Sequence, residues 1–393
     1  MADCLFHIAT NLRPVLSYSA WYFERMGEYH ECIENPKMNY NFVMLSVQDQ
    51  QANAGFMGLC LPKSCTTLQI KAVFDELFQV SKLPLIVSDI ENNVPNMRHE
   101  FSWVFFLTFI IAISCIVSVI YASLSKPTNH LSAFSIQESR KLFKLNPKSN
   151  LNILNGVRSL SMMWVIIGHM YGNLLMGALN IQSSVEKNSF EKPFFLLIEG
   201  GVFAVDVFFF IAGLLLAHVF LRDLSRSLAK YPLAIIQRML RLWPSYIFTI
   251  LIYYSVYVHF GSGPLWGQDE IYTSACGKMW KPIFFVDNLV DNGEEQCMNW
   301  GWYLQNDMQL FMFSILLLCF YKFRPMVMKV IVWPMMVGSM VFSFMWTYNH
   351  NAILITHISD AQQQGNYFAD VYSKPWARCS PYFLGLYFGI LHF

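Results

Sequence analysis

Six stretches of the chain are long, apolar and nearly free of charge, at roughly 101–123, 152–176, 195–221, 233–259, 303–321 and 327–347, and a seventh begins near 382. About 20 apolar residues cross the hydrocarbon of a bilayer as a helix, which satisfies its own backbone hydrogen bonds there. The pattern predicts a bundle of transmembrane helices. Before the first stretch the pattern differs. Thr67 to Val80 puts Ile70, Phe74, Leu77 and Phe78 on one helical face, with Thr66 or Thr67 as the cap. Phe42 to Val47 reads as a short strand, Pro84 to Pro95 as the linker to the first span, and Ser135 to Leu145 as a short amphipathic helix on the membrane surface. The expected fold class is all-α: a multi-pass transmembrane helix bundle with a small, mostly helical, disulfide-bearing N-terminal ectodomain. Its divisions are an extracytoplasmic cysteine-containing domain at 1–95, a first transmembrane helix at 96–124, a cytosolic linker at 125–150 and a larger transmembrane domain at 151–393.

Composition agrees with this picture. Of 393 residues 55% are hydrophobic and only 13% charged, whereas a soluble chain carries about 25% charged residues. The formal net charge of +1 lacks the basic excess of a nucleic-acid binder, so nucleic acid is excluded as a partner and the lipid bilayer is implied. Lys126, Arg140, Lys141, Lys144, Lys148, Arg222, Arg226, Lys230, Lys322, Arg324 and Lys329 fall in alternate connections; the others hold Lys187, Lys192, Lys278, Lys281, Lys374 and Arg378. The positive-inside bias puts the first set in the cytosol and residues 1–100 outside the cell or in a lumen. The membrane concerned is the plasma membrane or the endoplasmic reticulum.

Cysteines fit an oxidising compartment on that outer side. Cys4, Cys32, Cys60 and Cys65 lie in the N-terminal region, where four cysteines allow three pairings. Cys276 with Cys297 is the simplest further bridge, Cys379 precedes the last run, and Cys115 and Cys319 are read as small buried residues within spans. No second ligand pair accompanies Cys60 and Cys65, so no metal is expected. No signal peptide is visible in residues 1–20, and the last apolar run ends after about ten residues, too few to cross a bilayer. Both ends thus read as those of a C-terminally incomplete fragment.

The chemistry lies in the few ionisable groups within the spans, which by default face the protein interior or a wet cavity. Arg158 and His169 are eleven residues apart on the second span, hence on one face and about 16 Å apart along the axis. His169 serves either as a catalytic imidazole or as a structural hydrogen-bonding group, and Arg158 either as a binding group or as a snorkelling anchor. Arg238 and Arg241 sit one turn apart at the start of the fourth span and suit phosphate oxygens or lipid headgroups. Pro244 is expected to break or kink that helix. On the third span Glu199 and Asp206 share a face; Asp206 either orients His169 or pairs with a buried arginine. Asn306, Asp307 and Gln309 are read as interhelical hydrogen-bonding groups.

Several of these segments carry a resemblance. Gly27 to Ile33, Gly58 to Cys65, Leu154 to Leu160, Trp164 to His169, Val205 to Leu214, Arg238 to Tyr246, Cys297 to Gln309 and Lys374 to Arg378 resemble, in order, the acyltransferase-3 family and its animal nose-resistant-to-fluoxetine-like branch. Ala212 departs from the serine usual there. The resemblance implies a membrane enzyme that takes an acyl group from cytosolic acyl-CoA, the donor substrate, and passes it to a hydroxyl of a lipid or other acceptor. It implies His169 as the catalytic residue, with Arg158, Arg238 and Arg241 on the donor; Asp206 is expected, from its chemistry as a carboxylate, to tune the imidazole. A general base works best with a pKa near the operating pH, and imidazole meets that condition. The competing reading is a non-catalytic lipid or small-molecule transporter, in which the same polar groups line a path; a receptor acting through residues 1–100 is a third.

Overall fold

The computed structural model describes residues 29–47, 53–80, 85–92, 102–125, 132–142, 152–177, 196–198, 200–222, 230–260, 276, 278–290, 297–350 and 367–391. They divide between two compact units, one drawn from Met1–Glu100, Asn173–Glu186 and Tyr257–Ile271, the other from Phe101–Gly172, Lys187–Val256 and Tyr272–Phe393.

The first unit contains α1 (Tyr29–Glu34), β1 (Met38–Val47), β2 (Asn53–Pro62), α2 (Thr67–Val80) and β3 (Leu85–Asn92). The strands form an antiparallel sheet in the order β2-β1-β3. This amends the expectation of a mostly helical ectodomain: the anticipated strand at 42–47 is the end of a ten-residue central strand with a neighbour on each side. α2 forms where its periodicity predicts, and Thr66 is the cap. Its hydroxyl accepts from the Gln69 amide at 3.4 Å while the Gln69 side chain accepts from the Thr66 amide at 3.1 Å, a reciprocal arrangement that satisfies two otherwise orphaned donors. Asp75 accepts from the Val87 amide and ties α2 to β3. The core holds Met38, Tyr40, Val43, Leu59, Ile70 and Val87, closed by a disulfide between Cys32 and Cys60. Cys65 is disulfide-bonded as well.

The second unit is all-helical among its described residues. α3 (Trp103–Leu124), α4 (Ile136–Leu142), α5 (Asn152–Gly177), α6 (Ala204–Arg222), α7 (Lys230–Ser255), α8 (Trp302–Phe323), α9 (Pro325–Asn349) and α10 (Pro375–Leu391) follow in chain order. Every expected span is a helix. α3, the stretch Leu196–Arg222 ending in α6, α8 and α9 are apolar and long enough to cross a membrane by length and composition alone. α5 and α7 are as long, with 26 residues each, but carry the arginines and histidine that lower their hydropathy. The chain is an integral membrane protein. Pro244 does not break α7, which runs unbroken from Lys230 to Ser255, with its ring at an exposed position. The expected surface helix near 135–145 is helical over Ile136–Leu142; residues 143–145 lie outside the described residues.

α8 is the centre of the bundle, with Gln305 to Met308, Leu310, Phe311, Ser314 and Ile315 buried. The tightest packing joins α6 to α10. A Cβ added at Gly213 would fall 2.0 Å from Tyr382 O, one at Gly385 2.0 Å from Phe210 O, and one at Gly389 2.5 Å from Ala217 Cβ. Gly213 and Ala217 on one helix and Gly385 and Gly389 on the other are four residues apart, the small-xxx-small spacing that lets two membrane helices bring their backbones together. Short hydroxyl bonds fasten the rest: Ser380 to Met336 O at 2.8 Å and Ser339 to Ala377 O at 3.0 Å join α9 and α10, and Thr108 to Ser255 at 3.0 Å joins α3 and α7. Cys115 is exposed on α3 rather than buried, which an apolar thiol tolerates in lipid.

Candidate active site

α5 positions the first pair of candidates. Eleven residues turn a helix through about three full turns plus 20°, so Arg158 and His169 share a face as expected. The face of α5 that packs is centred on Ser161, Trp164 and Gly168. The Trp164 indole donates to Leu197 O at 2.7 Å, and a Cβ at Gly168 would lie 3.6 Å from Ile198 O. Arg158 lies at the margin of that face and is half-buried; His169, further round, is exposed. Among the described residues neither makes a hydrogen bond or ion pair. His169 therefore faces away from the interior of the described bundle, where the sequence pattern had placed it.

The two arginines of α7 part company. Arg238 turns inward, hydrogen-bonds the Asp307 carboxylate of α8 and lies over the Phe311 ring at 4.2 Å from its centroid. Arg241, one turn on, stays exposed and has no described partner. Asp307 is 8% exposed, so its charge depends on Arg238. Removing one partner of a buried pair costs about 3–5 kcal/mol, far more than replacing both by apolar groups. Asp307→Ala should accordingly lower the unfolding midpoint steeply, and adding Arg238→Met should recover much of the loss; a double-mutant cycle on thermal unfolding in detergent measures it.

Asp206 does not reach His169. Both its carboxylate oxygens accept from Arg378 at 3.1 Å. The Arg378 guanidinium stacks 3.8 Å from the Tyr372 ring centroid and donates through Nε to Tyr372 O. Trp302 packs on Tyr372, and Phe209 on Tyr303, around the pair. Of the two roles open to Asp206, the geometry assigns the ion pair and corrects the tuning of the imidazole. Arg378, which the sequence pattern assigns to a connection, points into the bundle because α10 begins at Pro375, not near 382. Glu199 lies outside the described residues.

Asn288 was not anticipated. Its backbone amide donates to Gln305 at 2.8 Å, its side chain donates to Asn306 at 2.7 Å and to Ser373 O at 3.1 Å, and it accepts from Gln309 at 2.8 Å. Lys374 donates to Asn288 O at 2.6 Å. This hub fixes the connection between α7 and α8, which the predicted Cys276–Cys297 disulfide also closes. The connection bears strain: Phe285 and Met298 adopt φ of 58° and 57°, and they are the non-glycine residues with positive φ among those described. Such outliers persist only where surroundings over-determine them, and Phe285 is clamped under Tyr246, ring against ring at 5.8 Å. Asp287 beside the hub is buried, and burial pushes its carboxyl up to about 6 against the opposing charge of Lys281. Because the folded value exceeds the unfolded one, the folded state takes up a proton as pH falls from about 6 towards 4, and stability rises across that window. The unfolding midpoint should be higher at pH 5 than at pH 7.5, and Asp287→Asn should flatten the difference.

Residues 151–393 match the profile of the acyltransferase-3 family, described as an acyltransferase domain. The chain is 27% identical over 266 residues to Nose resistant to fluoxetine protein 6 of Caenorhabditis elegans, covering 60% of this chain and 31% of that protein. It is 27% identical over 290 residues to Regulator of hypoxia-inducible factor 1 of the same organism, covering 67% of this chain and 56% of that protein. The chain thus spans about a third and about half of the two relatives. No solved structure matches.

Proposed function

Since the chain belongs to the acyltransferase-3 family over residues 151–393, in its nose-resistant-to-fluoxetine-like branch, we propose that it moves an acyl group from cytosolic acyl-CoA to a hydroxyl of a lipid or other acceptor. The observation that supports this reading most is the division of the intramembrane charges. Asp206 with Arg378 and Asp307 with Arg238 neutralise each other inside the bundle, while Arg158, His169 and Arg241 have no ionic partner among the described residues. Unpaired guanidinium groups suit the phosphates of a nucleotide donor. An imidazole about 16 Å further along α5 than Arg158, exposed rather than packed within the described bundle, is open to a reacting group carried on an extended arm.

In this scheme His169 takes the proton of the acceptor hydroxyl as its oxygen attacks the thioester carbonyl. The tetrahedral intermediate collapses with loss of the carbon–sulfur bond, and the imidazolium returns the proton to the departing thiolate. Arg158 and Arg241 hold the donor; Arg238, committed to Asp307, shapes the site instead. Both arginines face the cytosol and the N-terminal unit faces the exterior or a lumen, in the plasma membrane or endoplasmic reticulum, as the distribution of Lys and Arg suggests. The test is transfer of label from acyl-labelled acyl-CoA to a hydroxyl-bearing lipid, with stoichiometric release of free thiol, by the protein reconstituted in liposomes. Absence of both against protein-free vesicles would reject the reading.

A further inference from the structure

Asp287 is a buried carboxylate outside both ion pairs of the bundle, and it sits where the connection between α7 and α8 folds back on itself. The Val286 amide donates to Lys281 O at 3.0 Å, so the chain turns and brings Lys281 alongside the Asp287 carboxylate. From the other limb of the connection the Cys297 backbone amide meets that carboxylate, and from α7 the Tyr246 phenol faces it. Lys281 and Tyr246 are the charged and titratable groups against it among the described residues. Asp287 is 3% exposed and Lys281 4%. An ionised carboxyl group offers about four acceptor sites, which one amide and one opposing charge leave largely unfilled. Burial without those bonds disfavours the charged form.

The two limbs reach α8 by different routes. Next to Asp287, Asn288 holds Gln305, Asn306 and Gln309 through its hub of hydrogen bonds. Next to Cys297, Met298 takes a left-handed backbone, and its carbonyl accepts from the Gly301 amide at 2.7 Å just before α8 begins at Trp302. Phe285, two residues before Asp287, is left-handed as well. Both strained residues would relax if the limbs parted, and the carboxylate between them would regain water. The ionised form gains far more from that water than the neutral form does. We propose that Asp287 is a proton-operated clasp: protonated, it holds the connection shut on the start of α8, and ionised, it lets the two limbs part without unfolding of the bundle. In the proposed orientation the proton comes from the exterior or lumen. The clasp depends on the connection alone, so absence of acyl transfer would leave it standing.

Hydrogen exchange of the full chain in detergent, with rates corrected for the intrinsic effect of pH, tests this. Opening without global unfolding requires residues 278–290 and 297–309 to exchange at pH 7.5 while peptides spanning Gly213 and Gly385 stay protected. With the closed-state carboxyl at about 6 and the open-state one at the ordinary 3.8, corrected exchange of the connection should slow about ten-fold between pH 7.5 and pH 5. In Asp287→Asn, which has no charge to rehydrate, it should be slow at both. Exchange of the connection only together with the α6–α10 crossing would overturn the clasp, as would a corrected rate indifferent to pH or the same pH response in the variant. Should the variant fail to fold, the wild-type titration decides. Slowing that sets in as pH falls through about 6 supports Asp287, and slowing that begins only near the ordinary value of 3.8 overturns it.

Discussion

Gly385→Val should leave a protein that does not assemble its membrane bundle. Even the first carbon of a side chain there falls 2.0 Å from Phe210 O, with Leu214 N at 3.0 Å, and a backbone atom cannot rotate away as a side chain can. α6 and α10 would have to separate by more than an ångström along a crossing that also relies on Gly213 and Gly389. Separation would open the Asp206–Arg378 pair and detach Tyr372 from Val202 O, to which its hydroxyl donates at 3.1 Å. Overpacking alone costs about 1–3 kcal/mol, and opening the half-buried Asp206–Arg378 pair adds to that, a large part of a typical folding margin of about 5–15 kcal/mol. The expected result is loss of the monodisperse peak in detergent chromatography. Gly385→Ala should suffer nearly as much, whereas Gly338→Ala, which meets nothing within 4 Å, should be neutral or mildly stabilising because alanine favours helix. Equal behaviour of the alanine variants at 385 and 338 would refute the close crossing.

The membrane helices were readable from the chain because lipid imposes one demand, a long apolar run with little charge, that α3, α6, α8 and α9 meet locally and α5 and α7 approach despite their few ionisable groups. Capping at Thr66 was readable for the same reason, since Thr66 and Gln69 are three residues apart. β2 and β3 were not: Asn53 to Pro62 holds two glycines and no strict alternation, and its pairing is decided by a strand elsewhere. Charge partners were the harder part. Asp206 and Arg378 are 172 residues apart and Arg238 and Asp307 are 69, so sequence could say that each charge needs a partner but not which. Pro375 did hold a usable signal. Proline is favoured in the first turn of a helix, where its missing N–H leaves nothing unsatisfied, and placing α10 there would have put Arg378 inside the bundle. Asn288 offered none, since it lies in a connection without periodicity and matters only through what surrounds it.

His169 carries the heaviest functional prediction. It is the imidazole of α5, in register with Arg158, and it has no described partner to hold it in a purely structural role. A group that neither packs nor bonds can be removed at little cost in stability, so His169→Ala should fold and melt as the wild type does. A general base contributes about 100- to 10,000-fold to the step it assists, and its loss should fall on kcat, leaving the KM for acyl-CoA to the arginines. His169→Gln, similar in size and able to hydrogen-bond but not to take up a proton, should be no better. The decisive measurement is therefore the initial rate of acyl transfer from labelled acyl-CoA by reconstituted wild-type and His169→Ala protein of equal unfolding temperature. The account predicts a fall of at least about 100-fold in kcat with the donor KM little changed; a variant that transfers the acyl group at the wild-type rate would contradict it.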